Sequence, residues 1–158
     1  MKLVNSADLH VHTDASDGAY PAATVLEMAR TADLEIIALT DHDSLTALDG
    51  LKVPPGIEVI PGTELSAYHE GREVHILGYF LDTQDFTLRE MLKSLQQKRR
   101  ARAFSIIRKL SEQNIEIAPA AIFDNAGTSS VSRLHVAEAL IDKGHSTNLF
   151  EAFRDFLG

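Results

Sequence analysis

A chain of 158 residues is about one domain's worth, and 44% hydrophobic with 24% charged residues is ordinary globular composition. The absence of cysteine excludes disulfides, thiolate zinc sites and a cysteine nucleophile. Fifteen Lys and Arg against 23 Asp and Glu leave a formal charge of −8, which speaks against nucleic-acid binding by overall charge but leaves room for a local basic stripe. Every apolar run falls short of the roughly 18 residues of a membrane helix, and the start MKLVNSADLH lacks a signal-peptide pattern. No membrane partner and a cytoplasmic location are therefore expected.

Residues 4–12 read as a strand and 13–20 as a loop. Pro21 suits the first turn of a helix with an apolar stripe of Ala22, Leu26, Ala29 and Ala32. Residues 34–40 (LEIIALT) are a β-branched run of the kind buried in parallel sheets. A short helix is expected over 44–51, and Val-Pro-Pro-Gly at 53–56 breaks the chain. Residues 57–60 make a third strand, ended by Pro61-Gly62, and 74–81 (VHILGYFL) a fourth. Strands alternating with helical segments predict an α/β class with a largely parallel sheet or barrel.

The second half changes character. Thr87 and Glu90 have capping-box spacing. Leu88, Met91, Leu92 and Leu95, then Ala103, Ile106, Ile107 and Leu110, predict one long helix over 88–113. A further helix is expected over 132–143, capped by Gly144, and another over 148–157, where Asn148 and Glu151 repeat the capping-box spacing. The reading is two parts, an α/β part over 1–81 and an all-helical part over 82–158.

The chemistry concentrates in the first part. His10 and His12 are two apart on a strand, so both imidazoles share one face, a ready chelate for a divalent ion. His42 follows the second strand, Glu64 the third, and Asp17 lies in the loop after the first. In βα architectures the C-terminal ends of strands form one rim where such side chains meet. His75 is the exception, lying early in its strand. Singly, each has an ordinary reading: a satisfied histidine, a turn Asp before Gly18, a loop Glu. Jointly they point to metal. Asp41 and Asp43 either orient neighbouring ligands or, for Asp43, cap a helix before Ser44. His69, in Tyr68-His-Glu-Gly71, reads as a surface turn residue.

Asp8-Leu-His-Val-His-Thr-Asp-Ala-Ser-Asp-Gly18, Thr40-Asp-His-Asp43, Pro61-Gly-Thr-Glu64 and Val74-His-Ile-Leu-Gly-Tyr79 resemble successive motifs of the polymerase-and-histidinol-phosphatase (PHP) family. The nearest subgroup acts on nucleoside 3′,5′-bisphosphates and short RNA ends, and 85–157 resembles its helical insertion, including Val131-Ser-Arg-Leu-His-Val136. The resemblance implies part of a distorted βα barrel carrying two or three divalent ions, usually Mn, Zn or Fe. By position, His10, His12 and Glu64 would bind one ion. Glu64 would bridge to a second that His75 also binds, Asp17 and His42 would bind a third, and Arg133 and His135 would contact substrate phosphate. The implied activity is hydrolysis of phosphate esters of nucleotides or short oligonucleotides by metal-bound hydroxide. The rivals are a small-metabolite phosphatase of the histidinol-phosphate type and an incomplete, non-catalytic metal-binding module.

The family pattern continues into the rest of the barrel, a His-Pro segment and a late Asp-x-His pair, none of which occurs here. Each ion needs four or more donors, so six side chains serve one or two ions rather than three. An unpaired sheet edge is expected where later strands would join. The chain therefore reads as the N-terminal part of a longer protein, or as one completed by a second chain, or as a degenerate form. Lys98-Arg-Arg-Ala-Arg102 with Arg108 and Lys109 is either the solvated face of a helix or a steering surface for polyanionic substrate.

Overall fold

The computed structural model describes residues 6–127 and 129–157, so the expected strand positions Val4 and Asn5 lie outside the described residues. The chain divides into two compact units, residues 1–95 and 96–158.

The first unit is built on a four-stranded sheet of order β1-β2-β3-β4, with β1 Ala7–Val11, β2 Ile36–Leu39, β3 Glu58–His69 and β4 Arg72–Tyr79. The first three strands run parallel, with α1 (Ala22–Thr31) crossing from β1 to β2. Leu26, Val25, Ile37, Leu39 and Ile57 bury one apolar layer between helix and sheet, with Val11 packed against it. Ala32 caps α1 and is exposed, and Val25 takes its place in the buried stripe.

The sheet is mixed rather than parallel, because β3 turns back directly into β4. Glu70 (φ 49°) and Gly71 (φ 78°) form a two-residue turn with both φ positive, the geometry that matches strand twist in tight hairpins. His69 ends β3 and is exposed, on the surface as expected. Pro61-Gly62 does not end the third strand. Pro61 is where β3 exchanges its partner β2 for β4, so a missing N–H costs little there. The Tyr79 hydroxyl donates to the Leu9 carbonyl (2.9 Å), so the outer strands of this sheet approach each other as in part of a barrel. The expected helix over 44–51 is only a 3₁₀ turn, Thr46–Leu48.

α2 (Phe86–Ser111) begins two residues earlier than expected. Asp85, not Thr87, caps it, its carboxylate accepting from the Leu88 N–H (2.9 Å). The second unit takes the rest of α2 with α3 (Pro119–Ala126), α4 (Arg133–Asp142) and α5 (Leu149–Ala152), which continues as a π turn through Leu157. Leu110, Ile122, Val136 and Leu140 are fully buried in its core. α3 has no counterpart in the sequence reading: it is short, and Ala118 offers no capping side chain. Asn148 caps α5 as expected, accepting from the Glu151 N–H, while Glu151 accepts from Thr147.

Candidate metal centre

The site grows from the strand ends of the first unit. His10 lies in β1 and His12 just past its end, and their Nε2 atoms meet 3.0 Å apart. The parallel pairing of β2 with β3 resumes beyond the end of β2 as an isolated bridge between His42 and Glu64, which lies within β3. The Asp43 N–H donates to the Glu64 carbonyl (3.0 Å), fixing the two segments that carry these side chains. Glu64 lies opposite Leu77 and His75 opposite Ser66, so Glu64 and His75 are diagonal neighbours on one face of the hairpin. This register is why a histidine early in β4 reaches Glu64, which itself lies mid-strand in β3.

Glu64 stands at the centre with its side chain only 8% exposed. Its Oε2 lies 2.8 Å from His10 Nε2, 2.9 Å from His12 Nε2 and 3.6 Å from His42 Nδ1. Its Oε1 accepts from His75 Nδ1 at 2.6 Å. The four imidazoles form a row, with centroids 5.1 Å apart for His10–His12, 4.6 Å for His12–His42 and 4.9 Å for His42–His75. Asp17 closes one side, with Oδ1 2.9 Å from His12 Nδ1 and Oδ2 3.5 Å from His42 Nε2.

The donors fit divalent ions. His10 Nε2 and His12 Nε2 are 3.0 Å apart and share the Glu64 oxygen, giving a triangle with sides of 2.8, 2.9 and 3.0 Å. Atoms bound at right angles to one ion at about 2.1 Å stand about 3 Å apart. Two imidazole lone pairs facing each other repel unless a proton or cation lies between them. His12–Asp17–His42 and His42–Glu64–His75 also offer donor atoms within 4.8 Å of one another, so Glu64 belongs to two of the three triads.

The surrounding charges are consistent with a cation site. Burial pushes the His12 pKa down, but the hydrogen bond to Asp17 and the charges of Asp17, Glu64 and Asp41 outweigh it and raise it above the usual histidine value. Burial likewise favours protonation of Glu64, yet the hydrogen bond from His10, the charge of His42 and the bond from His75 hold its pKa below the carboxylate norm.

Asp41 and Asp43 tie down the loops around the site through backbone N–H and hydroxyl groups. Asp41 is fully buried; Oδ1 accepts from the Thr13 N–H (2.7 Å) and Ser16 hydroxyl (2.6 Å), and Oδ2 from the Thr13 hydroxyl (2.7 Å). It clamps the loop that carries Asp17. A Cβ at Gly18 would overlap the His12 carbonyl, so only glycine lets the loop fold back this closely. Asp43 caps no helix. At φ 50° it bonds the Ser66 N–H and hydroxyl (both 2.8 Å), tying its loop to β3.

Arg133 and His135 lie in the second unit at the start of α4. His135 is buried, and its Nδ1 accepts the Ser132 N–H (3.0 Å), completing a capping box with Ser132. Arg133 lines a small pocket with Ser132, Arg99 and Arg102. Arg99 is buried, so the basic stripe is not simply a solvated face. The sequence reading missed this grouping because Arg99 and Arg102 are more than 30 residues from Arg133. It also missed the Thr13–Ser16–Asp41 clamp, for which the hydroxyls beside Asp14 and Asp17 were the available signal.

The family model described as PHP domain matches residues 8–128. The chain belongs to the PHP domain family. This PHP domain is 33% identical over 162 residues to a 5′-3′ exoribonuclease from Haemophilus influenzae, covering 99% of the chain and 58% of that relative. It is 32% identical over 158 residues to a 3′,5′-nucleoside bisphosphate phosphatase from Chromobacterium violaceum, covering 95% of the chain and 54% of that relative. A crystal structure from Bifidobacterium adolescentis, of a protein assigned provisionally as a metal-dependent phosphoesterase, superposes with a TM-score of 0.84 at 26% identity. It matches 100% of this PHP domain and 57% of that chain. The chain thus spans about half the length of the curated relatives it matches.

Proposed function

We propose that this PHP domain contributes the N-terminal half of the active site of a metal-dependent phosphoesterase acting on nucleotides or short oligonucleotides. The observation that supports this most is one buried carboxylate, Glu64, ringed by four imidazoles from β1, the residue just after it, β4 and the segment after β2. His10, His12 and Glu64 would hold one ion, Glu64 and His75 a second, and Asp17 and His42 a third; Mn, Zn and Fe suit this donor set. Such ions, when bound, neutralise phosphoryl oxygens and acidify water near neutral pH. Glu64 would serve two of these positions, since its Oε2 lies against His10 and His12 and its Oε1 against His75. Asp17 fixes the tautomer of His12 by taking its Nδ1–H, leaving Nε2 free for a ligand. Six side chains are too few for three full coordination spheres, so further donors would come from another polypeptide segment, a continuation or a second chain. In the helical unit, Arg133 and His135 are the candidate phosphate contacts, with Arg99 and Arg102 beside Arg133 in one small pocket.

Two further readings are tested alongside. Among the described residues no helix is long and apolar enough to cross a membrane, and a cysteine-free chain suits a reducing cytoplasm. The test is phosphate release with Mn²⁺ from a nucleoside 3′,5′-bisphosphate and from histidinol phosphate, by this chain together with the segment that supplies the missing donors. The proposal predicts turnover of the bisphosphate in preference, abolished in Glu64→Gln. Preference for histidinol phosphate would favour the small-metabolite phosphatase. Purified protein with neither bound metal nor turnover on added Mn²⁺ would favour a non-catalytic module.

A further inference from the structure

The two units carry opposite charge. Residues 1–95 hold six Lys and Arg against 16 Asp and Glu, while residues 96–158 hold nine against seven. The chain's acidity is confined to the sheet unit, and the helical unit is mildly basic. Such asymmetry is a signature of contact with a polyanion.

Within the helical unit the cations are interleaved with aromatic rings. Arg100, Phe104 and Arg108 recur every four residues on α2 and so share one face. The Arg100 guanidinium lies 4.3 Å from the centroid of Phe123, and Phe123 lies tilted (41°) against Phe104 at 4.8 Å. Phe104 is thereby held in place while remaining 49% exposed. Phe104 also lines a groove of about 630 Å³ with Ile107, Arg108, Glu116, Pro119 and Lys143. That volume lies in the range of roughly 300–1,000 Å³ typical of small-ligand sites. Arg108 and Lys143 are exposed, and the one lining carboxylate, Glu116, already accepts from the Ser111 hydroxyl (2.7 Å).

We propose that this groove binds single-stranded RNA, with a base stacked on Phe104 and backbone phosphates on Arg108 and Lys143. A fixed, half-exposed ring flanked by cations offers every base a π-face and every phosphate a counter-charge, which is how sequence-tolerant single-strand sites work. An acidic peptide would satisfy the cations but leave the ring without a flat partner. The groove contains none of the residues given a role in the proposed catalysis. Its assignment rests on the oligonucleotide reading above only for the choice of RNA as ligand.

The test is fluorescence anisotropy of a labelled ten-nucleotide oligouridine with the full chain, in EDTA at low salt, so that neither hydrolysis nor metal binding enters. Arg108→Gln with Lys143→Gln should weaken binding about tenfold or more and lower the slope of log affinity against log salt by about 1.4, at about 0.7 per lost phosphate contact. Phe104→Ala should weaken binding about tenfold, and Phe104→Trp should keep it, since an indole also stacks. Circular dichroism of each variant separates lost binding from lost fold, and Phe104→Trp reads stacking directly by quenching of its fluorescence. Wild-type affinity in the folded double and Phe104→Ala variants would overturn the proposal. Displacement of RNA by a poly-glutamate peptide as effective as displacement by unlabelled RNA would also overturn it. Failure of the catalytic reading would show instead as absent phosphate release with RNA binding intact.

Discussion

The two units bury polar groups in different proportions and for different reasons. In the sheet unit Thr13, Ser16, Thr40, Asp41, His42, Asp43, Ser44, Thr63 and Glu64 are all buried, concentrated just past the ends of β1 and β2 and along β3. In the helical unit the core is aliphatic, and most of its buried polar side chains are at or near the entry to α4. A buried polar group is tolerable only when bonded, so the first unit holds its loops by a hydrogen-bond net and the second holds its helices by packing. The net gives precision: it sets the positions of Asp17, His42 and Glu64 relative to the β1 histidines. Packing gives cohesion without directing any one side chain.

The strongest way to break this contrast is to substitute one residue from each region. Asp41→Ala strips the acceptor from three buried donors, at about 3–4 kcal/mol. Leu140→Ala opens a cavity in the helical core, at about 3 kcal/mol. Urea denaturation should show similar losses, but only Asp41→Ala should also weaken Mn²⁺ binding in calorimetry. Equal metal affinity in both variants would mean that the net does not position the ligands.

A smaller effect follows from protonation. Because the His12 pKa is raised above 6.5, protons should begin to displace metal while the pH is still above that value, and affinity should fall steadily on acidification. In the metal-free chain the signs are opposite for the two groups. A raised His12 pKa stabilises the fold below 6.5 and is lost as pH rises through the folded value. A lowered Glu64 pKa stabilises it above 4.5 and is lost as pH falls through the folded value. Their joint contribution is therefore largest between pH 4.5 and 6.5, which thermal melts in EDTA across that range would check. The least effect is expected at a surface cap: Asp85→Ala should cost about 1 kcal/mol, with metal affinity unchanged.

The same contrast explains what could be read from the chain alone. Histidine and carboxylate at the ends of apolar runs stand out, so His10, His12, Asp17, His42 and Glu64 were legible from sequence pattern, and His75 through the motif that contains it. Pro61-Gly62 hid the continuation of β3, because a breaker at a change of strand partner looks identical to a strand end. The destinations of Asp41 and Asp43 depend on hydrogen bonds to residues 23 to 28 positions away, beyond local pattern. In the helical unit Ser132 was visible as a helix start, but α3 was too short to declare itself. Arg99 is buried, which the basic run around it gave no sign of.

The central claim is that Glu64 and the imidazoles around it hold divalent cations. The direct measurement is anomalous diffraction at the manganese edge from crystals of the chain grown with Mn²⁺. A peak among His10 Nε2, His12 Nε2 and the Glu64 carboxylate is the result expected. A map in which the chain is ordered, Mn²⁺ is in excess and no peak stands at Glu64 would contradict it.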